Sequence, residues 1–117
     1  MSASNQIYFV CRTDLGMSAG KLAMQAFHAG TGLLARLPED VRADYAGDPT
    51  RRAIALRASS AAKLEKARAA AEAAGLAHHL QVDRGHTEVP PDTPTVLAFG
   101  PVQRDDLPKA LHRLQLL

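Results

Sequence analysis

Hydrophobic and polar positions change period along this chain, and each change marks an element. Residues 6–12, "QIYFVCR", are apolar on both alternating faces, the pattern of a central strand covered from both sides. The loop "TDLGMSAG" follows, with Ser18 as a helix N-cap. From there a helix is predicted to Leu37, with Leu22, Ala26, Phe27, Ala29, Leu33, Leu34 and Leu37 as a broad apolar face. Gly30 and Gly32 weaken this helix without breaking it. Pro38-Glu39-Asp40 starts a second, short helix, with proline at its first position and acids in the first turn, ending near Gly47. Residues 51–58, "RRAIALRA", alternate as a strand. Ser59-Ser60 then caps a third helix that runs through Ala74, with Leu64, Ala67, Ala71 and Ala74 on one side and Gly75 as its stop. "HHLQVD" (78–83) and "TPTVLAFG" (93–100) read as two further strands. Asp105-Asp106-Leu107-Pro108 opens a last helix with Leu107, Leu111 and Leu114 inward.

The order βααβαββα predicts an α/β sandwich around a small mixed sheet, because helical crossovers favour parallel pairing and the Pro-rich 84–92 loop permits an antiparallel or a cross-sheet connection. No repeat, linker or low-complexity segment interrupts it, so one domain over residues 1–117 is expected. The start "MSASNQ" is polar, and no segment approaches the ~20 apolar residues of a membrane span. The single cysteine, Cys11, falls inside the first strand and reads as a small buried thiol. These features predict a soluble cytoplasmic protein.

Charge adds little by itself. The net charge is +2 and the pI near 9.0, without the strong excess of a committed nucleic-acid binder. Ten arginines against four lysines suit phosphate oxygens, but a biased genome composition gives the same count.

One stretch is out of keeping with helix electrostatics. In "GKLAMQAFH" (20–28), Lys21 falls in the first turn, where the helix dipole makes a cation cost roughly 0.3–1 kcal/mol. On that ground alone Lys21→Ala should firm the helix start. Lys21, Gln25, His28 and Gly32 recur at helical spacing as one stripe, opposite or beside the leucine face. First-turn N–H groups attract anions, and Gly20 leaves room for a ligand near the backbone. Lys21 is therefore either a solvated surface lysine or the cation of an anion site. "GMSAGK" is not a phosphate loop, since only three residues separate its glycines and Leu22 follows the lysine.

A second cluster is "VDRGHTEVPPDTPTVLAFGP" (82–101). Asp83 ends a strand, where open α/β sheets build sites, and Gly85 permits a turn. Asp83 and Thr87 either serve chemistry as acid–base and hydroxyl groups or only tie the turn. His78 and His79 face opposite sides of a strand, no other ligands stand at metal spacing, and no metal is expected. His86 and His112 read as surface residues. No serine sits in a nucleophile elbow, which disfavours a covalent enzyme.

Taken together, "RTDLGMSAGKLAMQAFHA", "VDRGHTEVPPDTPTVLAFGP" and the closing "LHRLQLL" resemble the archaeal/eukaryotic-type (type II) peptidyl-tRNA hydrolases over nearly the whole chain. The resemblance implies a four-stranded mixed sheet with two helices on each side. It also implies hydrolysis, without a cofactor, of the ester joining a peptide to the terminal ribose of tRNA. By resemblance, Lys21, Asp83, Thr87 and Thr95 are the catalytic candidates and Gln25 and His28 substrate-binding ones; Gly20, for the room it leaves, and Arg84, for the cation it adds, join the substrate-binding candidates on their own chemistry. The partner implied is peptidyl-tRNA, with no membrane, and a homodimer is among the assemblies left open. Three positions depart from the family pattern: Ala19 where a second basic residue often stands, Arg84 inside the "D-x-G", and Glu88 where glutamine is common. The alternatives are a non-catalytic RNA-binding or interaction module on the same fold, or a hydrolase of another acylated tRNA or small ester.

Overall fold

The computed structural model describes residues 5–85 and 88–117. Along the chain run β1 (Asn5–Arg12), α1 (Ala19–Arg36), α2 (Glu39–Gly47), β2 (Ala53–Ala58), α3 (Ala61–Ala73), β3 (His78–Asp83), β4 (Thr93–Gln103), a 3₁₀ turn (Arg104–Asp106) and α4 (Lys109–His112). The expected order is the observed one. The strands form one sheet, β2-β1-β4-β3, in which β1 pairs parallel with β2 while β4 pairs antiparallel with both β1 and β3. Among the described residues no helix is long and apolar enough to cross a membrane.

The double-sided pattern of β1 has a direct structural cause. Tyr8 and Val10 face a core closed by Leu64, Ala67 and Ala71 of α3 and Leu111 of α4. Ile7 and Cys11 face the other core, closed by Ala29 and Leu33 of α1, with Tyr45 of α2 against it. The Tyr8 and Phe99 rings stack at 5.2 Å inside the first of these layers. The side chains of both α1 and α3 that pack the sheet are thus those the helical period selects.

Both long helices start alike. Ser18 caps α1 by accepting from the Lys21 N–H, and Ser60 caps α3 by accepting from the Lys63 N–H, each at 3.1 Å. The sequences "SAGKL" and "SAAKL" are near copies, and they follow the parallel strands β1 and β2. Both helices therefore begin at the same end of the sheet, on opposite faces. α3 ends as expected at Gly75 (φ 70°), whose N–H reaches Glu72 O while Leu76 N–H reaches Ala71 O.

Several boundaries differ from expectation. β2 begins at Ala53, because Arg51 has a positive φ and the Arg51 and Arg52 carbonyls accept from the Tyr45 hydroxyl. Pro38 is the N-cap of α2 and Glu39 its first residue. β4 does not stop at Gly100: beyond Pro101 it still pairs Val102 with Gln6 and Gln103 with Asn5, across a register shift in β1. The expected last helix is two short pieces, the 3₁₀ turn and α4, which keep Leu107 and Leu111 buried and Leu114 partly so. Phe27 is 60% exposed, and Ala74 is an exposed cap; neither packs inward.

Candidate active site

The helix start and the strand end meet. Lys21 Nζ donates to Asp83 Oδ1 at 2.6 Å, and the two side chains are only 11% and 8% exposed. Gln25, one turn further along α1, donates from Nε2 to the same oxygen at 3.3 Å. Its amide oxygen accepts from Thr95 Oγ1 at 2.5 Å, so Thr95 on β4 stands behind Gln25. The other Asp83 oxygen accepts from Gly85 N–H at 2.7 Å, in a turn where Gly85 has φ 82° and no space for a side chain against Pro91. The buried carboxylate is held from α1, from β4 through Gln25, and from its own turn. Pairing it with a lysine and amide donors is what makes its burial tolerable.

A cleft of about 790 Å³ opens over this pair, walled by Met24 and His28 of α1 and by His79, Gln81 and Val82 of β3, with Arg84 and Glu88 at its mouth. The stripe of Lys21, Gln25, His28 and Gly32 is thus the face that α1 turns to β3, beside the leucine face. Gly32 belongs to it for a steric reason, since a Cβ there would stand 2.4 Å from the His79 ring. Gly20 is different: a Cβ there meets nothing within 4 Å, and the position lines the open cleft.

Glu88 ties the mouth to the helix. Its carboxylate accepts from Ser18 N–H and from Ser18 Oγ, both at 2.7 Å. The backbone bond first, then the hydroxyl bond, hold the Glu88 carboxyl below its ordinary range, and the Lys21 charge adds to this. The N–H groups of Ala19 and Gly20 keep no partner among the described residues. They and the Lys21 ammonium are the donors left for an anion.

Of the candidates read from the sequence, Lys21, Asp83 and Gln25 are in direct contact, and Gly20, His28 and Arg84 line the same cleft. Thr95 is fully buried and reaches the cleft indirectly, donating to the Gln25 amide oxygen and, at 3.3 Å, to the carbonyl of Gln81 in the cleft wall. Gln25 is itself 4% exposed, so it supports Asp83 more than it faces solvent. Thr87 and His86 lie outside the described residues. His79 and Gln81 were not picked out from the sequence; their signal is the two-residue period that places them on the Asp83 side of β3.

The family Peptidyl-tRNA hydrolase PTH2 matches residues 5–117. The chain belongs to this family. It is 36% identical over 108 residues to a peptidyl-tRNA hydrolase of Methanothermobacter thermautotrophicus, covering 92% of this chain and 96% of that one. It is 33% identical to a peptidyl-tRNA hydrolase of Haloquadratum walsbyi, covering 92% and 95% of the two chains. A Dictyostelium discoideum protein named "Probable peptidyl-tRNA hydrolase 2" is 34% identical over 110 residues, and there the match spans 52% of the longer chain. This PTH2 chain thus has archaeal and eukaryotic relatives, as its motifs led one to expect.

Proposed function

We propose that this chain hydrolyses the ester between a peptide and the terminal ribose of tRNA, releasing both for reuse in the cytoplasm. The observation that carries the reading is the buried Lys21–Asp83 pair on the floor of an open cleft, in a chain of the PTH2 family. In the reaction, a water oxygen bonds to the ester carbonyl carbon and negative charge moves to the carbonyl oxygen. The bond to the ribose oxygen then breaks, and that oxygen takes up the proton lost by water. Asp83 orients the water and accepts its proton. The Lys21 ammonium and the Ala19 and Gly20 N–H groups face the developing oxyanion; one such donor is typically worth ~10²–10³ in rate.

Gln25 and Thr95 act as positioning residues, since their hydrogen bonds hold the Asp83 carboxylate. Thr87, His28 and Arg84 are proposed to meet the substrate's ribose and phosphates. A homodimer is the assembly to test, and turnover followed across dilution, with light scattering, reads which assembly is active. The test of function is turnover of peptidyl-tRNA beside a simple ester and another acylated tRNA. Cleavage of peptidyl-tRNA at least ~10²-fold faster than the simple ester is expected, and no turnover of peptidyl-tRNA discards the reading.

A further inference from the structure

The active cleft is poorly suited to attract a polyanion, because Lys21 and Arg84 are balanced there by Asp83 and Glu88. The positive charge is elsewhere. A groove of about 560 Å³ lies between the end of β2, α3 and the segment after α4, and it is lined by Arg57, Lys63, Lys66 and Arg113 with no carboxylate. None of these four is ion-paired among the described residues. Set them aside, and ten basic residues face twelve acidic ones in the rest of the chain. These four cations thus account for the chain's net positive charge.

α3 itself sorts its charges. Arg68 is neutralised by Glu65 and Glu72, whereas Lys63 and Lys66, three residues apart and so on one flank, repel one another without a counter-charge. All four groove cations are exposed. Exposed cations on three separate segments suit a phosphate chain that releases counterions, more than a small anion needing buried partners.

The position of the groove fits the same substrate. Ala58 at the end of β2 pairs with Arg12 of β1, Cys11 with Val96 of β4, and Thr93 with Asp83 of β3. Groove and catalytic pair thus share one end of the sheet, three strand spacings apart, roughly 14 Å in the plane of the sheet, and on its opposite faces. An RNA whose terminal ribose sits at Asp83 has only a few nucleotides to cross before its backbone reaches β2.

We infer that this groove is a second contact for RNA, binding backbone phosphates of the tRNA stem while the ester lies in the Lys21–Asp83 cleft. The inference rests on the proposed hydrolysis of peptidyl-tRNA. Lys66 and Arg113 test it, since Arg57 also bonds Leu116 O and Lys63 bonds Ser59 Oγ.

The experiment compares the full chain with K66E/R113E in three measurements. These are affinity for uncharged tRNA against salt, hydrolysis of peptidyl-tRNA, and hydrolysis of the same peptidyl ester on a short single-stranded oligonucleotide with no stem. The variant should bind tRNA about tenfold more weakly at ~0.1 M salt, with a salt slope shallower by about two. Its KM for peptidyl-tRNA should rise in step with kcat unchanged, and the stemless ester should be cleaved at the wild-type rate. Equal tRNA affinity and slope in the two proteins overturn the inference and leave the groove to an acidic protein. An equal loss on the stemless ester also overturns it, since the groove would then act through the catalytic cleft. If the wild-type chain cleaves neither ester while the variant still weakens tRNA binding, the hydrolase reading falls and the RNA surface stands. K66Q/R113Q carries the same test should charge reversal lower the melting temperature.

Discussion

Lys21 shows how one contact changes the meaning of a residue. On helix electrostatics alone its removal should help α1, but the structure folds its ammonium onto a carboxylate that is 8% exposed. Lys21→Ala removes the ammonium paired with the buried Asp83 carboxylate, which costs about 3 kcal/mol and about 10 °C in melting temperature for a domain of this size. Hydrolysis should fall ~10²-fold or more in single-turnover assays at temperatures where the variant is folded. Asp83→Asn keeps the shape but loses the charge, and should be as inactive while still retaining tRNA in a filter-binding assay. Glu88 gives a pH prediction. Its folded-state value lies below that of the unfolded chain, so its bonds to Ser18 stabilise the cleft mouth above the usual carboxylate range. That contribution is lost as pH falls through the folded value, below about 4.5. Melting curves of wild type and Glu88→Gln should therefore converge on the acid side and separate near neutrality.

Among the elements, α1 decides most of the function, and two of its three glycines, at 20 and 32, make opposite predictions. Gly32→Ala gains helix propensity of about 1 kcal/mol but drives a methyl into the His79 ring. Overpacking of this kind costs about 1–3 kcal/mol, so the melting temperature should drop, and His79→Ala in the same chain should restore it. Gly20→Ala meets open space and should raise the melting temperature by a few degrees. If substrate uses that space, as proposed, peptidyl-tRNA hydrolysis should decline in the more stable protein. Unchanged kinetics would mean that the substrate keeps away from the first turn. β1 contributes the opposite kind of residue: burial pushes the Cys11 thiol up to about 11, so it should resist alkylation until the chain unfolds.

At the scale of the molecule, the prediction concerns salt. A chain of net charge +2 with four cations and no carboxylate lining one groove should bind tRNA in a salt-sensitive, sequence-tolerant way. Neutralising three to five phosphates gives a slope of log K against log salt of roughly −2 to −4. A flat response measured by filter binding would remove tRNA as the partner even if esterase activity survived.

Much of this was legible one segment at a time. Caps at Ser18 and Ser60, the stop at Gly75 and the double-sided apolar run of β1 are local, because each depends on a residue's own conformational preference or its own burial. The motif residues Lys21, Gln25 and Asp83 were legible too, as a family likeness. Periodicity tells that a residue is buried, however, and not which neighbour buries it. Strand pairing across long separations in sequence decided the rest. It carried β4 through Gly100 and Pro101 because Asn5 and Gln6 were there to pair with, and it placed Thr95 behind Gln25. It set Lys21 on a carboxylate 62 positions away, converting a misplaced cation into the partner of Asp83. It also gathered Arg57, Lys63, Lys66 and Arg113 from separate elements into one groove, which no single stretch of the chain announces.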